Sequence, residues 1–133
     1  MIEPRSGLII RYSYLWARER DRGEESGRKD RPACVQVLVV KGGREQAVLL
    51  PITSQPPRGE RATLEIPQIE ARRAGLSVPA WIVVDEWNED DLATSAFIAD
   101  TNPLGSFSRA FTLKIREAAA GAIRARKHRR ISR

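Results

Sequence analysis

Two side chains of this sequence, an arginine and a threonine, are the main candidates for chemistry. Arg31 precedes the apolar run Ala33–Val40, and Thr53 follows a second apolar run, Ala47–Ile52. The polar turn Lys41–Glu45 joins the two runs and contains paired glycines, so the pattern predicts a β-hairpin. The start of the first strand and the end of the second lie at the same end of a hairpin. We therefore expect Arg31 and Thr53 to lie close together at one rim of a sheet.

An arginine and a threonine at a sheet rim suit a phosphate. The planar guanidinium binds two phosphate oxygens and stays charged at any working pH, and the hydroxyl can donate to a non-bridging oxygen. RNA is cleaved when its 2′-hydroxyl attacks the adjacent phosphate, and a protein assists by stabilising the added negative charge and moving two protons. No metal or cofactor is needed for this. Arginine and threonine are also common at strand ends without any function, and the two residue types alone favour that simpler interpretation.

Other kinds of catalytic site lack their residues in this sequence. It contains no P-loop, no dinucleotide-binding glycine motif, no HExxH and no GxSxG. The only histidine, His128, lies in a basic segment, which excludes a catalytic histidine pair and makes a Ser-His-Asp arrangement implausible. The acidic cluster within Asp85–Asp91 lacks the spacing of a calcium loop, so it predicts a solvated turn rather than a metal site.

Positive charge is concentrated at one end of the chain. The 133 residues carry a formal net charge of +6, and residues 124–133 contain six basic residues and no acid. We expect these ten residues to be a frayed, solvated helix end that adds salt-dependent, unspecific affinity for RNA or DNA. The single cysteine, Cys34, lies in an apolar run and predicts a buried packing thiol. The first ten residues do not resemble a signal peptide and no apolar run reaches membrane length, so a cytoplasmic protein is expected.

The remaining pattern predicts one domain of class α+β, either an antiparallel sheet with helices or a small barrel. The charge-rich segment Ala17–Asp30 predicts a loop, either solubilising or acting as a lid over a ligand. The other predicted elements are strands at Gly7–Leu15, Gly59–Ile66, Val78–Glu86 and Ser95–Ile98, helices at Pro67–Ala74 and from Ser108, a turn at Asn88–Asp91 and a chain break at Thr101–Pro103.

The motifs Arg31-Pro32 and Pro51–Gln55 resemble those of the MazF/PemK family of toxin ribonucleases from bacterial toxin–antitoxin systems. The paired motifs Arg31-Pro32 and Pro51–Gln55, at about this separation, are the most specific part of the resemblance. The other matching pieces are Gly7–Ile10, the charged loop with Glu24, Glu25 and Gly27, the valine-rich strand to Val40, Gly75-Leu76, Trp81–Asp85 and Leu104–Ser106.

The resemblance implies a small SH3-like antiparallel β-barrel with a short crossover helix and a C-terminal helix. It implies a homodimeric endoribonuclease that cleaves single-stranded RNA (mRNA) without a metal or cofactor and inhibits growth. A cognate antitoxin would fill the RNA groove. Residues 1–123 would form this toxin domain, with residues 17–30 as a mobile loop over the groove, and residues 124–133 would be the basic tail.

The resemblance also implies roles for particular residues. Arg31 would stabilise the transition state, and Thr53 would orient or help protonate the phosphate. Asp85-Glu86-Trp87 stands where the family commonly has an Asp-Gln pair, and Glu86 is expected to be a surface charge more than a proton acceptor. The residues expected to contact RNA are Arg28, Lys29, Ser54 and Gln55.

A second hypothesis is a non-catalytic binding module of the same fold, which would hold RNA, DNA or a partner protein. The related CcdB-type toxins poison DNA gyrase with this fold, so the fold alone does not give the reaction. The matched Arg31 and Thr53 favour the nuclease, because a simple binder needs neither residue.

Overall fold

A computed structural model describes residues 2–27, 29–39, 42–43 and 45–133 of the chain. The described residues form eight strands and three helices. In chain order these are β1 (Leu8–Tyr12), α1 (Ala17–Asp21), β2 (Arg31–Val39), β3 (Glu45–Thr53), β4 (Thr63–Glu65), α2 (Gln68–Arg73), β5 (Trp81–Val83), β6 (Glu86–Asp90), β7 (Ile98–Ser106), α3 (Arg109–Arg124) and β8 (Arg129–Ser132).

The strands form a mostly antiparallel sheet in the order β4-β5-β3-β2-β1-β7. Strand β3 changes neighbours along its length: its Ala47–Leu49 part pairs with β6, whereas Ile52 and Thr53 pair with β5. Strand β8 lies parallel to β6 at the margin. Among the described residues the end strands β4 and β7 do not pair with each other, so the sheet is open. The α+β class is confirmed, with a mostly antiparallel open sheet and few helices.

The predicted hairpin is confirmed as β2 and β3. The two strands pair antiparallel from Ala33 opposite Pro51 as far as the Val39–Glu45 pair. Gly42 and Gly43 of the turn have φ angles of +94° and +77°, which glycine adopts without steric strain. The predicted turn residues Lys41 and Arg44 lie outside the described residues.

Both faces of the hairpin are buried, which explains its nearly continuous apolar runs. On one face, Cys34 and Leu50 pack in a core that includes Phe111 and Ile115 of α3. On the other face, alternate residues pack in a second core. These are Ala33, Val35, Ala47 and Leu49, together with Tyr12, Tyr14 and Trp16 from the end of β1 and beyond.

The two longer helices begin where the sequence predicts. The Ser108 hydroxyl oxygen accepts the Phe111 N–H at 3.2 Å and so caps α3, as expected. The Glu70 carboxylate of α2 accepts the Ser108 N–H at 2.8 Å and its hydroxyl at 2.6 Å, which joins the two helices. Gly75 follows α2 with a φ of +70°, in keeping with its predicted place just past a helix end.

Several local predictions are wrong. The segment Ala17–Asp30 is not entirely loop, because Ala17–Asp21 form α1. The predicted turn Asn88–Asp91 is mostly strand β6, and the predicted break at Thr101–Pro103 lies within strand β7. Each of these strands is rich in polar residues that have a weak preference for β structure. Pairing with a strand distant in sequence outweighs that weak preference.

The expectation of a frayed basic tail is also wrong. Residues Arg129–Ser132 form β8, and Ile131 is buried. Arg129 pairs with Asp21 at 2.9 Å, and the Arg133 guanidinium donates to the Ser13 carbonyl at 2.7 Å. Basic residues of this segment thus pair with acidic residues of neighbouring segments. None of the described helices combines the length and apolar character that a membrane span requires.

The Cys34 thiol should make the protein less stable in alkali. The side chain is completely buried, as predicted, and burial raises the pKa of the thiol to about 12 from its ordinary value of 9.0. The native state keeps the thiol protonated while the unfolded chain ionises. Its stabilising contribution is therefore complete below about pH 9 and is lost as the pH rises toward 12.

We expect the free energy of unfolding to fall more steeply between about pH 9.5 and 11 in the parent protein than in Cys34→Ala, by up to about 1.4 kcal/mol per pH unit. Urea unfolding at a series of pH values measures both slopes. The alanine variant is less stable throughout because of its cavity, but only the slope matters. Equal slopes would show that the thiol ionises alike in both states.

Candidate functional site

Arg31 lies at the first position of β2, opposite Tyr12 of β1. Its guanidinium carbon is 5.0 Å from the centroid of the Trp16 ring. The Nε atom is buried and has no hydrogen-bond partner among the described residues. Because buried polar groups in proteins are nearly always hydrogen-bonded, an unpartnered guanidinium N–H indicates a place for a ligand or water.

A cavity of about 260 Å³ lies beside Arg31. Its lining is formed by Tyr14, Trp16, Arg18, Glu19, Arg22, Lys29 and Arg31. Basic side chains therefore outnumber the one carboxylate by four to one. Arg18 also lies against the Trp16 ring, with its guanidinium carbon 4.7 Å from the centroid. We call this the Arg31 cavity.

Electrostatics in the Arg31 cavity favour an anion. Burial lowers the pKa of the Arg31 guanidinium from its ordinary value, and the nearby charge of Arg18 lowers it further. The guanidinium therefore loses solvation on burial and is repelled by Arg18. A bound phosphate would relieve both, because it supplies negative charge and acceptor oxygens.

The wall of the cavity depends on a buried carboxylate, Glu86. Its Oε2 accepts the Tyr14 hydroxyl and the Ala17 N–H, each at 2.9 Å. Its Oε1 accepts from Nη2 of Arg61 at 2.9 Å. The Trp16 backbone N–H, in the same segment, donates to Oε1 of Glu19 at 3.0 Å. These bonds fix the segment that leaves β1 and begins α1, and so place Trp16 and Arg18.

The prediction of Glu86 as a surface charge is wrong. The side chain is 3 % exposed, and both carboxylate oxygens accept hydrogen bonds. Burial and the Glu86 charge raise the pKa of the Tyr14 hydroxyl well above its ordinary value, so that hydroxyl remains a donor. Glu86 therefore positions the site and does not face the Arg31 cavity as a free base.

Thr53 lies at the last position of β3, opposite Trp81 of β5. Its Oγ1 accepts the Gln55 N–H at 3.1 Å. The β2–β3 register ends at Ala33 opposite Pro51, and two further residues in the same register would place Arg31 opposite Thr53. The structure thus brings the two residues to the same end of the hairpin. Thr53 does not line the Arg31 cavity.

The expected RNA contacts separate into two places. Lys29 lines the Arg31 cavity, whereas Ser54 and Gln55 are exposed just after β3. Arg28 lies outside the described residues. Sequence reasoning missed Trp16, Arg18 and Arg22, although the spacing of the two arginines, four residues apart, is typical of one helix face.

Two further observations bear on the site. No group of three or more His, Cys, Asp or Glu side chains suited to a metal ion occurs in the described part of the chain. Comparison of the chain with protein-family models, curated proteins and solved structures gives no match. The family therefore stays a resemblance based on the sequence motifs.

We expect Glu86→Gln to destabilise the protein by on the order of 3 kcal/mol, because an amide N–H₂ would meet donors that the carboxylate now satisfies. Urea unfolding at neutral pH measures the loss. Glu65→Gln is the matched control, since Glu65 is an exposed strand residue without a charged partner among the described residues. Equal stability of the two variants would contradict the structural role of Glu86.

Proposed function

We propose that this protein is a MazF/PemK-like toxin, a metal-independent endoribonuclease that cleaves single-stranded RNA by attack of a 2′-hydroxyl. Its action on mRNA would inhibit growth. The observation that carries the proposal is the buried, unpartnered Nε of Arg31 in a cationic cavity, at the arginine of the Arg-Pro motif. A guanidinium without a protein partner in a cationic cavity is suited to donate to the phosphate oxygens on which charge develops.

In this mechanism the reacting phosphate lies against Arg31. The 2′-hydroxyl gives its proton to water and its oxygen attacks phosphorus. The bond to the 5′-oxygen breaks and that oxygen takes a proton from water, so the products are a 2′,3′-cyclic phosphate and a 5′-hydroxyl. Arg31 donates to the phosphorane oxygens, where negative charge increases. Arg18 and Lys29 raise the local positive potential and strengthen this effect.

Thr53 is the proposed second donor. Because its Oγ1 already accepts the Gln55 N–H, the hydroxyl hydrogen is left to donate outward. The strand end and this bond fix the hydroxyl at the same end of the hairpin as Arg31. Ser54 and Gln55 follow directly and are proposed to contact the RNA bases or backbone.

The finer features of the family belong to the same proposal. We propose that the sheet forms an SH3-like barrel, since β3 pairs with β6 along one part and with β5 along another, as a bent barrel strand does. We also propose a cytoplasmic homodimer whose activity is relieved by a cognate antitoxin. The antitoxin would carry negative charge to match the Arg31 cavity.

Replacing Arg31 should abolish most cleavage. Purified protein is incubated with a long single-stranded RNA in excess EDTA, and Arg31→Ala is expected to cut at least about 10²-fold more slowly, because a transition-state donor is lost. Arg31→Lys should recover only part of the rate, since an ammonium cannot bind two oxygens with a planar fork.

The control for Arg31 is Arg11→Ala. Arg11 is an exposed arginine on the neighbouring strand β1. It lies opposite Pro32, whereas the next residue, Tyr12, lies opposite Arg31. Alternation along the strand directs it to the other face of the sheet. A parent protein that binds the RNA but never cuts it would instead indicate the non-catalytic binding module.

Thr53→Val should reduce cleavage more than RNA affinity, because valine removes the hydrogen bond donated to the reacting phosphate as well as the bond that Oγ1 accepts from the Gln55 N–H. Thr53→Ser keeps the hydroxyl and should retain most activity. Single-turnover cleavage rates and binding to a 2′-O-methyl RNA separate the two effects. If Thr53→Val cuts as fast as the parent, Thr53 has no part in the reaction.

A further inference from the structure

A second groove also borders α1. Its volume is about 480 Å³. It is lined by Ala17, Arg18, Asp21, Arg61, Asp85, Glu86, Arg126, Lys127, His128 and Arg129. We call it the turn groove, because Arg126, Lys127 and His128 belong to the turn between α3 and β8.

The three acids of the turn groove pair with two arginines. Arg61 donates to Asp85 at 2.7 Å and also to Glu86. Arg129 pairs with Asp21 at 2.9 Å. The five basic residues of the groove outnumber its three acids, which leaves a surplus of two positive charges.

Two cations of the turn groove have no protein partner among the described residues. The side chains of Arg126 and Lys127 are exposed, and neither makes a hydrogen bond or ion pair with the described residues. Beside them the His128 ring stacks on Trp87, with 5.4 Å between centroids, which anchors the turn. A pair of unpaired cations at the edge of a groove attracts an extended polyanion.

The backbone at Arg126 supports a role for its side chain. This residue lies two positions after the last residue of α3 and has a φ of +56°, a left-handed conformation in which glycine is favoured. The Lys127 N–H donates to the Ala122 carbonyl at 2.9 Å, which is typical of a helix C-cap of this kind. An arginine at this position costs stability relative to glycine, and a role for its charge would account for that cost.

The turn groove and the Arg31 cavity share one lining residue. Arg18 on α1 lines both spaces. Tyr14 of the Arg31 cavity donates its hydroxyl to Glu86 of the turn groove. A single chain of phosphates could therefore contact Arg31, pass Arg18 and continue to Arg126 and Lys127.

We propose that the turn groove binds the phosphodiester backbone of the same single-stranded RNA whose reacting phosphate lies at Arg31. This inference rests on the proposed function for the identity of the strand. Arg126 and Lys127 neutralise phosphates at a distance from the cleaved bond. They contribute affinity and direction of the strand, and take no part in the chemistry.

Salt-dependent binding tests this inference. The protein is titrated with a fluorescent 2′-O-methyl RNA, which cannot be cleaved, at salt concentrations from about 50 to 200 mM. The slope of log affinity against log salt is negative. The double variant Arg126→Gly, Lys127→Gln should make it shallower by about 1.4, since each lost phosphate contact on a single strand contributes about 0.7. Glycine suits the backbone at position 126, so the variant should fold at least as well at that position.

The matched control is Arg109→Gln with Lys114→Gln on α3, which removes the same charge from exposed residues outside both cavities. Its slope should change little. An equal change in the two double variants, or no change in either, would overturn the proposal. So would a parent protein that does not bind the RNA.

Cleavage of unmodified RNA is measured separately and distinguishes the two proposals. A protein that cuts RNA but shows an unchanged slope in the turn variant keeps the proposed function and loses the turn groove. A protein that binds without cutting, and whose slope falls in the turn variant alone, keeps the turn groove as an RNA site and loses the nuclease.

Discussion

A buried carboxylate at the start of β6 is the constraint on which the site depends. Taking a charge out of water costs several kcal/mol unless it is paired and hydrogen-bonded. Glu86 meets this condition with the Tyr14 hydroxyl, the Ala17 N–H and the Arg61 guanidinium. These donors come from the end of β1, the beginning of α1 and the approach to β4. One side chain therefore fixes three segments relative to the sheet.

Asn88 extends the same arrangement. It lies two residues after Glu86 on β6, so both side chains face the same side of the strand. Its amide accepts the Leu15 N–H at 2.9 Å and donates to the Leu15 carbonyl at 2.8 Å, in place of a paired strand. The Arg133 guanidinium also donates to Asn88 Oδ1 at 2.9 Å. The segment after β1 is thus held by side chains, and it carries Trp16 into contact with Arg31.

Local signals in the sequence predict part of this structure. The β2–β3 hairpin, α2 and the Ser108 cap of α3 follow from apolar periodicity, glycines and a capping hydroxyl, all of which act within a few residues. Strands β6 and β8 do not follow from such signals. The acidic β6 and the basic β8 lie about 40 residues apart in sequence and stabilise each other by pairing, for example between Arg130 and Glu89. Read singly, each looks like a solvated segment.

The candidate site divides in the same way. Arg31 and Thr53 are predictable because one hairpin sets their relation. Trp16 and Arg18 are not, because a helix inside a charge-rich segment depends on the Glu86 contact from far along the chain. The turn groove is hidden for the same reason, since its cations look like part of a frayed tail until β8 is seen.

The measurement that tests the central claim most directly is identification of the ends of RNA cut in excess EDTA, by mass spectrometry of the fragments. Attack by the 2′-hydroxyl at a phosphate held by Arg31 predicts 2′,3′-cyclic phosphates and 5′-hydroxyls, and no cut at a position carrying a 2′-deoxy sugar. Fragments with 5′-phosphates, cleavage at deoxy positions, or intact RNA after prolonged incubation would contradict it.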